Sequence, residues 1–263
     1  MKTTTKLLYI MGLSLVLVAV YTGCKKKTID TDTSSATDNA SAENSFSTVF
    51  RSTNENSDSV AVRSSCTNIM ITTTTTNINH YPKTLTIDYG STGCNGYKGS
   101  YSAVFTGPFK TQGSIITITY NNYYDGAYQV DADSHTITNT GVSSAGNPVY
   151  TVSVVNGRLT SSSGTSKWNA TKSIEWTVGS TSPWGDDVFL ISGTTSGTSA
   201  KGVTYSTVIN TPLKMAAGCD YIESGVLTLT PQSGDNRVFD FGNGACDNQA
   251  TVTIDGVVFN ITM

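Results

Sequence analysis

Four cysteines, two histidines, a few paired carboxylates and a knot of tyrosines are the residues of this chain best equipped for chemistry. The cysteines fall in two spans of nearly equal length, Cys66 to Cys94 and Cys219 to Cys246. The second cysteine of each span closes an aromatic-flanked Asp–Gly run, TIDYGSTGC in one and VFDFGNGAC in the other. Two copies of one hairpin unit, at the start and end of the β region, are the economical reading. Disulfides Cys66–Cys94 and Cys219–Cys246 are expected, although four cysteines allow three connectivities. Pairing Cys66 with Cys94 sets Ile71 opposite Tyr89 and Thr75 opposite Leu85, with one apolar face; the second hairpin reads less cleanly and calls for a bulge. No C-x-x-C spacing is present, so a Cys₄ metal site is not expected, and no cofactor or metal is assigned.

His80 lies in a turn (NINHYPK) and His135 in a polar strand (DADSHTIT); with no serine elbow, metal-spaced partner or acidic orienter, both read as surface residues. Asp186 and Asp187 form a carboxylate pair, but neighbours in extended chain point opposite ways, which suits a loop acid followed by a strand charge. Asp131 and Asp133 point the same way and could share a cation, but the twelve-residue calcium-loop pattern is absent. Asp240-Phe241-Gly242 spells a kinase tripeptide without its companion motifs and carries no weight. No catalytic residue is assigned, and the chain is not expected to be an enzyme. Aromatics give the candidate ligand-binding residues: Tyr120, Tyr123, Tyr124 and Tyr128 around the Asp125-Gly126 turn, and Trp184 in a Pro-Gly loop. Such faces stack on sugar rings while neighbouring Asn and Asp bind hydroxyls; the plain alternative is core filling and cross-strand pairing. Trp168 and Trp176 share one strand face and read as core. The Thr72 to Thr76 run suggests an ice-binding ladder, but a single run is no array.

The fifth cysteine belongs to a different context. Lys2 and Lys6 precede an apolar run, Leu7 to Val20, too short to cross a bilayer comfortably and right for a signal peptide. The run ends at Tyr21-Thr22-Gly23-Cys24, which resembles a bacterial lipobox, with Tyr21 standing where an aliphatic residue is usual. Residues 1–23 are therefore expected to be a lipoprotein signal peptide and Cys24 the lipidated residue, its acyl chains anchoring the protein to a membrane. Residues 24–59 are polar and aperiodic and read as a disordered tether, a coil with an r.m.s. reach of roughly 30–35 Å.

From residue 60 to 263 the period is two. Leu85, Ile87 and Tyr89 alternate with threonines and Asp88; Ile116, Ile118 and Tyr120 do the same; Trp168, Ala170, Ile174, Trp176 and Val178 mark another run. Apolar residues point inward, and Thr, Ser or Asn face water with β-branched, strand-favouring backbones. Asp125-Gly126, Asn156-Gly157 and Asp255-Gly256 read as hairpin turns. Val188 to Ile191 is apolar on both faces and suggests a strand covered twice. The expected fold is all-β: an antiparallel meander of roughly 12–14 strands, as a sandwich or a curled, partly closed sheet. Only 13% of residues are charged and the net charge is −3, so no nucleic-acid partner is expected.

The lipobox, the YNNYYDG hairpin, the NTG…GNPVYTV…NG and KWN…EW segments, DDVFLISG and the closing FDFGNGACDNQATVTIDG together resemble a group of uncharacterised envelope lipoproteins of Bacteroidota. The likeness implies an outer-membrane lipoprotein, periplasmic or surface-facing, and transfers no catalytic residue. The expected role is a non-enzymatic binding or structural domain whose partner is a glycan or an envelope protein. The alternative is an accessory hydrolase or a lipid or ligand carrier using a cleft in the curled sheet.

Overall fold

The computed structural model describes residues 30–57, 70–73, 80–182 and 185–263, the 70–73 strand in backbone only. One helix, α1 (Ser34–Asn56), precedes fourteen strands. They are β1 (Met70–Thr73), β2 (Lys83–Asp88), β3 (Tyr97–Phe105), β4 (Ile115–Asp125), β5 (Tyr128–Asp131), β6 (Ser134–Val142) and β7 (Pro148–Ser161). Then follow β8 (Gly164–Val178), β9 (Val188–Thr198), β10 (Thr204–Ala216), β11 (Ser224–Pro231), β12 (Arg237–Asn243), β13 (Gln249–Ile254) and β14 (Val257–Thr262). Every pairing is antiparallel, and the strands form one sheet in chain order, with β5 and β6 both seated between β4 and β7. The expected meander is therefore present. It takes the form of a curled sheet that does not close into a barrel.

Strand alternation sorts the residues as water demands. Successive pairings line up one outward row across twelve strands: Thr84, Val104, Thr117, Thr136, Ser153, Thr171, Thr194, Val208, Thr228, Val238, Thr253 and Val258. No member is charged and most are β-branched, which suits a wet, pleated surface. The adjoining inward row runs Leu85, Ala103, Ile118, His135, Val154, Ala170, Thr195, Thr207, Leu229, Arg237 and Ile254, all buried.

What this inner face packs against is α1. Seventeen of its 23 residues are buried, and its two rings meet side chains from five strands. Phe46 stacks on Trp168 of β8 at 4.9 Å and meets Tyr120 of β4 and His135 of β6 edge-on. Phe50 reaches Tyr150 of β7 and Phe189 of β9, as well as Phe109 of the β3–β4 loop. Gly157 of β7 leaves the space Phe46 needs, since a Cβ there would lie 2.9 Å from its ring. The tether expected over 24–59 is thus corrected over residues 30–57: this polar stretch is the inner layer of the domain. It is polar because the sheet's interior supplies polar partners.

Three smaller expectations are also revised. The β1–β2 register pairs Ile71 with Ile87 and Thr73 with Leu85, two residues from the expected pairing, a shift that preserves which face is which. Asn156-Gly157 forms a bulge within β7 instead of a turn, with Asn156 at φ 49°. Asp125-Gly126 and Asp255-Gly256 do turn hairpins. Val188 and Leu190 lie half-buried on the outer side, because the sheet is single-layered and only Phe189 and Ile191 reach the core.

Candidate functional site

The tyrosine cluster forms, but facing inward. Tyr123 is fully buried and Tyr120 half-buried. Three residues apart on a regular strand, they would face opposite ways; a bulge at Asn122, with φ 49°, turns both toward α1. Gly99 of β3 sits against that bulge, where a Cβ would fall 1.8 Å from the Asn122 carbonyl oxygen. Tyr89, Tyr97, Tyr101, Tyr120 and Tyr123 then form one aromatic cluster, with neighbouring ring centroids 5.1 to 6.4 Å apart. Burial pushes the Tyr89 phenol up to about 12 and raises the other four as well. Tyr124 lies under the Lys98 ammonium at 4.7 Å, and Tyr128, opposite Asp125 in the hairpin, is half-buried against the core. An exposed aromatic strip is therefore not what these residues make. Trp184, Cys24 and Cys66 lie outside the described residues.

Cys219 and Cys246 are bonded as expected, and Cys94 is also disulfide-bonded. Asp131 and Asp133 both bind the guanidinium of Arg158, at 2.5 and 2.6 Å, a side-chain partner in place of a metal ion. Asp187 is buried and accepts the Trp176 indole N–H at 3.0 Å, and burial raises its carboxyl; Asp186 is exposed and accepts from Ser182.

Around α1 lies a polar network of which sequence reading saw none. Glu43 and Lys172 form an ion pair at 2.6 Å with both side chains almost wholly buried. Asn39 Oδ1 accepts from the Trp168 indole N–H and the Thr195 hydroxyl, each at 3.1 Å. Arg51 binds Asp220 at 2.7 Å, and Thr53 donates to the Tyr101 hydroxyl. Ser45 hydrogen-bonds Asp125, whose carboxyl is nevertheless raised, burial being the dominant cause.

His135, expected at the surface, is fully buried, its Nδ1 2.8 Å from the Tyr120 hydroxyl. Desolvation pushes its pKa down to about 3, so the folded protein holds a neutral imidazole while the unfolded chain takes up a proton near pH 6.5. This stability is complete above pH 6.5 and drains as pH falls, by about 2 kcal/mol between pH 7 and 5. Denaturant titrations at the two pH values should show that loss, and His135→Gln should largely abolish the difference. The raised carboxyls of Asp125 and Asp187 act in the opposite sense, and only as pH falls toward their own range.

Two grooves mark the outer face. One of about 400 Å³ crosses β7 to β10 and is lined by Ser153, Asn169, Thr171, Thr194, Ser196 and Ser206, among others. The second, about 380 Å³, lies over β12 to β14. There Asp240, Thr251 and Asn260 form one outward row, joined by Asn243, Asp247 and Gln249. The loop carrying Asn243 and Asp247 is held by the Cys219–Cys246 bond and by its own side chains: Asp240 accepts from the Gly242 N–H, Asn243 from Ala245 and Asp247 from Gln249. Carboxylate, amide and hydroxyl groups thus stand fixed and exposed in one shallow dish. Such a set suits hydrogen bonding to a hydroxyl-rich ligand.

Fold and site together define a class: a curled antiparallel sheet wrapped around its own N-terminal helix, with its hydrogen-bonding grooves outside. The chain matches no family model, no curated protein and no solved structure.

Proposed function

We propose that this chain is an envelope lipoprotein, anchored through Cys24, whose β domain is a non-enzymatic module that binds a neutral glycan in the β12–β14 groove. The signal-like run and lipobox-like cysteine support the anchoring. The observation that carries the binding reading is the division of the molecule by side. The inner face of the sheet is filled by α1, which occupies the cleft a lipid carrier would need, while the outer groove offers Asp240, Asn243, Asp247, Gln249 and Asn260 to solvent. Carboxylates and amides of this kind grip vicinal hydroxyls by charge-assisted and neutral hydrogen bonds.

The test is a binding screen of the domain, Asp30 to Met263, against neutral oligosaccharides, with Thr251→Val plus Asn260→Ala as the variant, neither side chain being among those that hold the loop. Loss of at least about tenfold in affinity, roughly 1.4 kcal/mol, with unchanged melting temperature is expected. Undiminished binding in that variant, or no binding to any neutral glycan, would overturn the groove assignment.

A further inference from the structure

The domain has a fixed point where the chain enters it. Arg237, on an inward position of β12 with only 3% of its side chain exposed, binds Asp30 Oδ2 at 2.9 Å. The same guanidinium donates to the carbonyls of Asp32 and Asp235. Lys201 reaches Asp32 at 3.4 Å, and the Ala200 N–H donates to Asp38 at 2.7 Å. Asp30 and Asp32 also accept from the backbone N–H groups of Asp32 and Ser34, ordering the first turn of the segment. The chain is therefore clamped at once to the β9–β10 turn (199–203) and the β11–β12 turn (232–236), beginning at Asp30.

That clamp shortens the leash. Between Cys24 and Asp30 stand residues 25–29 alone, and even fully extended the chain spans at most about 20 Å from one to the other. A folded body of this size is roughly 45 Å across. A body held by a leash shorter than its own diameter meets the membrane with the surface beside its attachment point.

We propose that the rim made by the β9–β10 and β11–β12 turns rests on the phospholipid headgroups of the bilayer, with the β12–β14 groove turned away from it. This rests on the lipid anchor at Cys24 proposed above. The rim suits that contact. Lys201, although it reaches Asp32, leaves 69% of its side chain exposed, and Lys167, beside Thr198 in register, is exposed on the next strand, so both ammonium groups face the solution where anionic headgroups would lie. β12 starts at Arg237 in the clamp and ends at Asn243 in the groove, roughly 20 Å further along the strand. Anchoring and ligand binding thus occupy opposite ends of one strand.

The experiment uses the full lipidated protein in vesicles of phosphatidylethanolamine and phosphatidylglycerol carrying a headgroup nitroxide quencher. A bimane is attached at Ser233→Cys on the rim or at Ser144→Cys in the β6–β7 loop; both parent residues are exposed. Mass spectrometry of the N-terminal peptide reports acylation of Cys24. The expected result is several-fold stronger quenching at position 233 than at 144, with the difference lost when a 30-residue Gly/Ser linker is inserted after Lys27. Equal quenching in acylated protein overturns the orientation and leaves the anchor standing. An unmodified Cys24 overturns the anchor and the orientation with it.

Discussion

A chain that begins at residue 58 should fail to fold, giving no cooperative unfolding transition and no near-ultraviolet dichroism from Trp168 and Trp176. Phe46, Val49 and Phe50 bury their side chains completely or nearly so against the sheet. At about 1.5–3 kcal/mol each, these three alone contribute roughly 5–9 kcal/mol, comparable with the whole net stability of a domain. Their removal also bares Trp168, Tyr150 and Phe189 and leaves Lys172 in an apolar trough with no acid beside it. Circular dichroism and denaturant titration of chains starting at residue 30 and at residue 58 make the comparison. If the shorter chain melted cooperatively near the temperature of the longer one, α1 would be an accessory and not the core of the fold.

The second large effect concerns the ion pair inside. Glu43→Ala should destabilise the protein by about 3–5 kcal/mol, because it strands a buried ammonium 129 residues away in sequence. The Glu43→Leu, Lys172→Met double variant should recover most of that loss, since well-packed apolar replacements avoid the desolvation both charges bear. The measurement is a double-mutant cycle by chemical denaturation. A single variant within about 1 kcal/mol of the parent, the range of an exposed pair, would mean that water reaches Lys172. An unrecovered double variant would instead mean that the pair does more than neutralise itself.

Much of the sheet was legible because one rule, apolar in and hydroxyl out, holds along almost every strand. Trp168 and Trp176 fell correctly into the core by that rule. Two kinds of feature escaped it. Bulges such as the one at Asn122 shift the alternation by a residue and send Tyr120 and Tyr123 to the same side, and nothing in YNNYYDG announces the shift. The helix escaped because the usual signature of a buried helix is an apolar stripe, and Ser34–Asn56 has three large apolar side chains in 23 residues. Its trace was nevertheless present in the partner strands. Lys172 interrupts the apolar face that runs from Trp168 to Trp176; His135 shares its face with Ile137, and Arg237 with Phe239. Inward charged or polar residues on strands demand a polar occupant, and the only uncommitted polar segment of the chain was the supposed tether. The outer groove escaped for a different reason. Asp240, Thr251 and Asn260 come together only through the register of three strands.

The position of α1 in the chain also governs when the molecule can assemble. Its partners, and those of the segment leading into it, lie far downstream: Tyr101 is 48 residues from Thr53, Trp168 129 from Asn39, Asp220 169 from Arg51, and Arg237 207 from Asp30. A polar helix of this length has little stability alone, so it gains its shape only once strands as late as β12 exist to receive it. A helix made before all fourteen strands is thus ordered only after many of them. During synthesis the inner layer of the domain therefore waits, unshaped, while its outer layer is still being made.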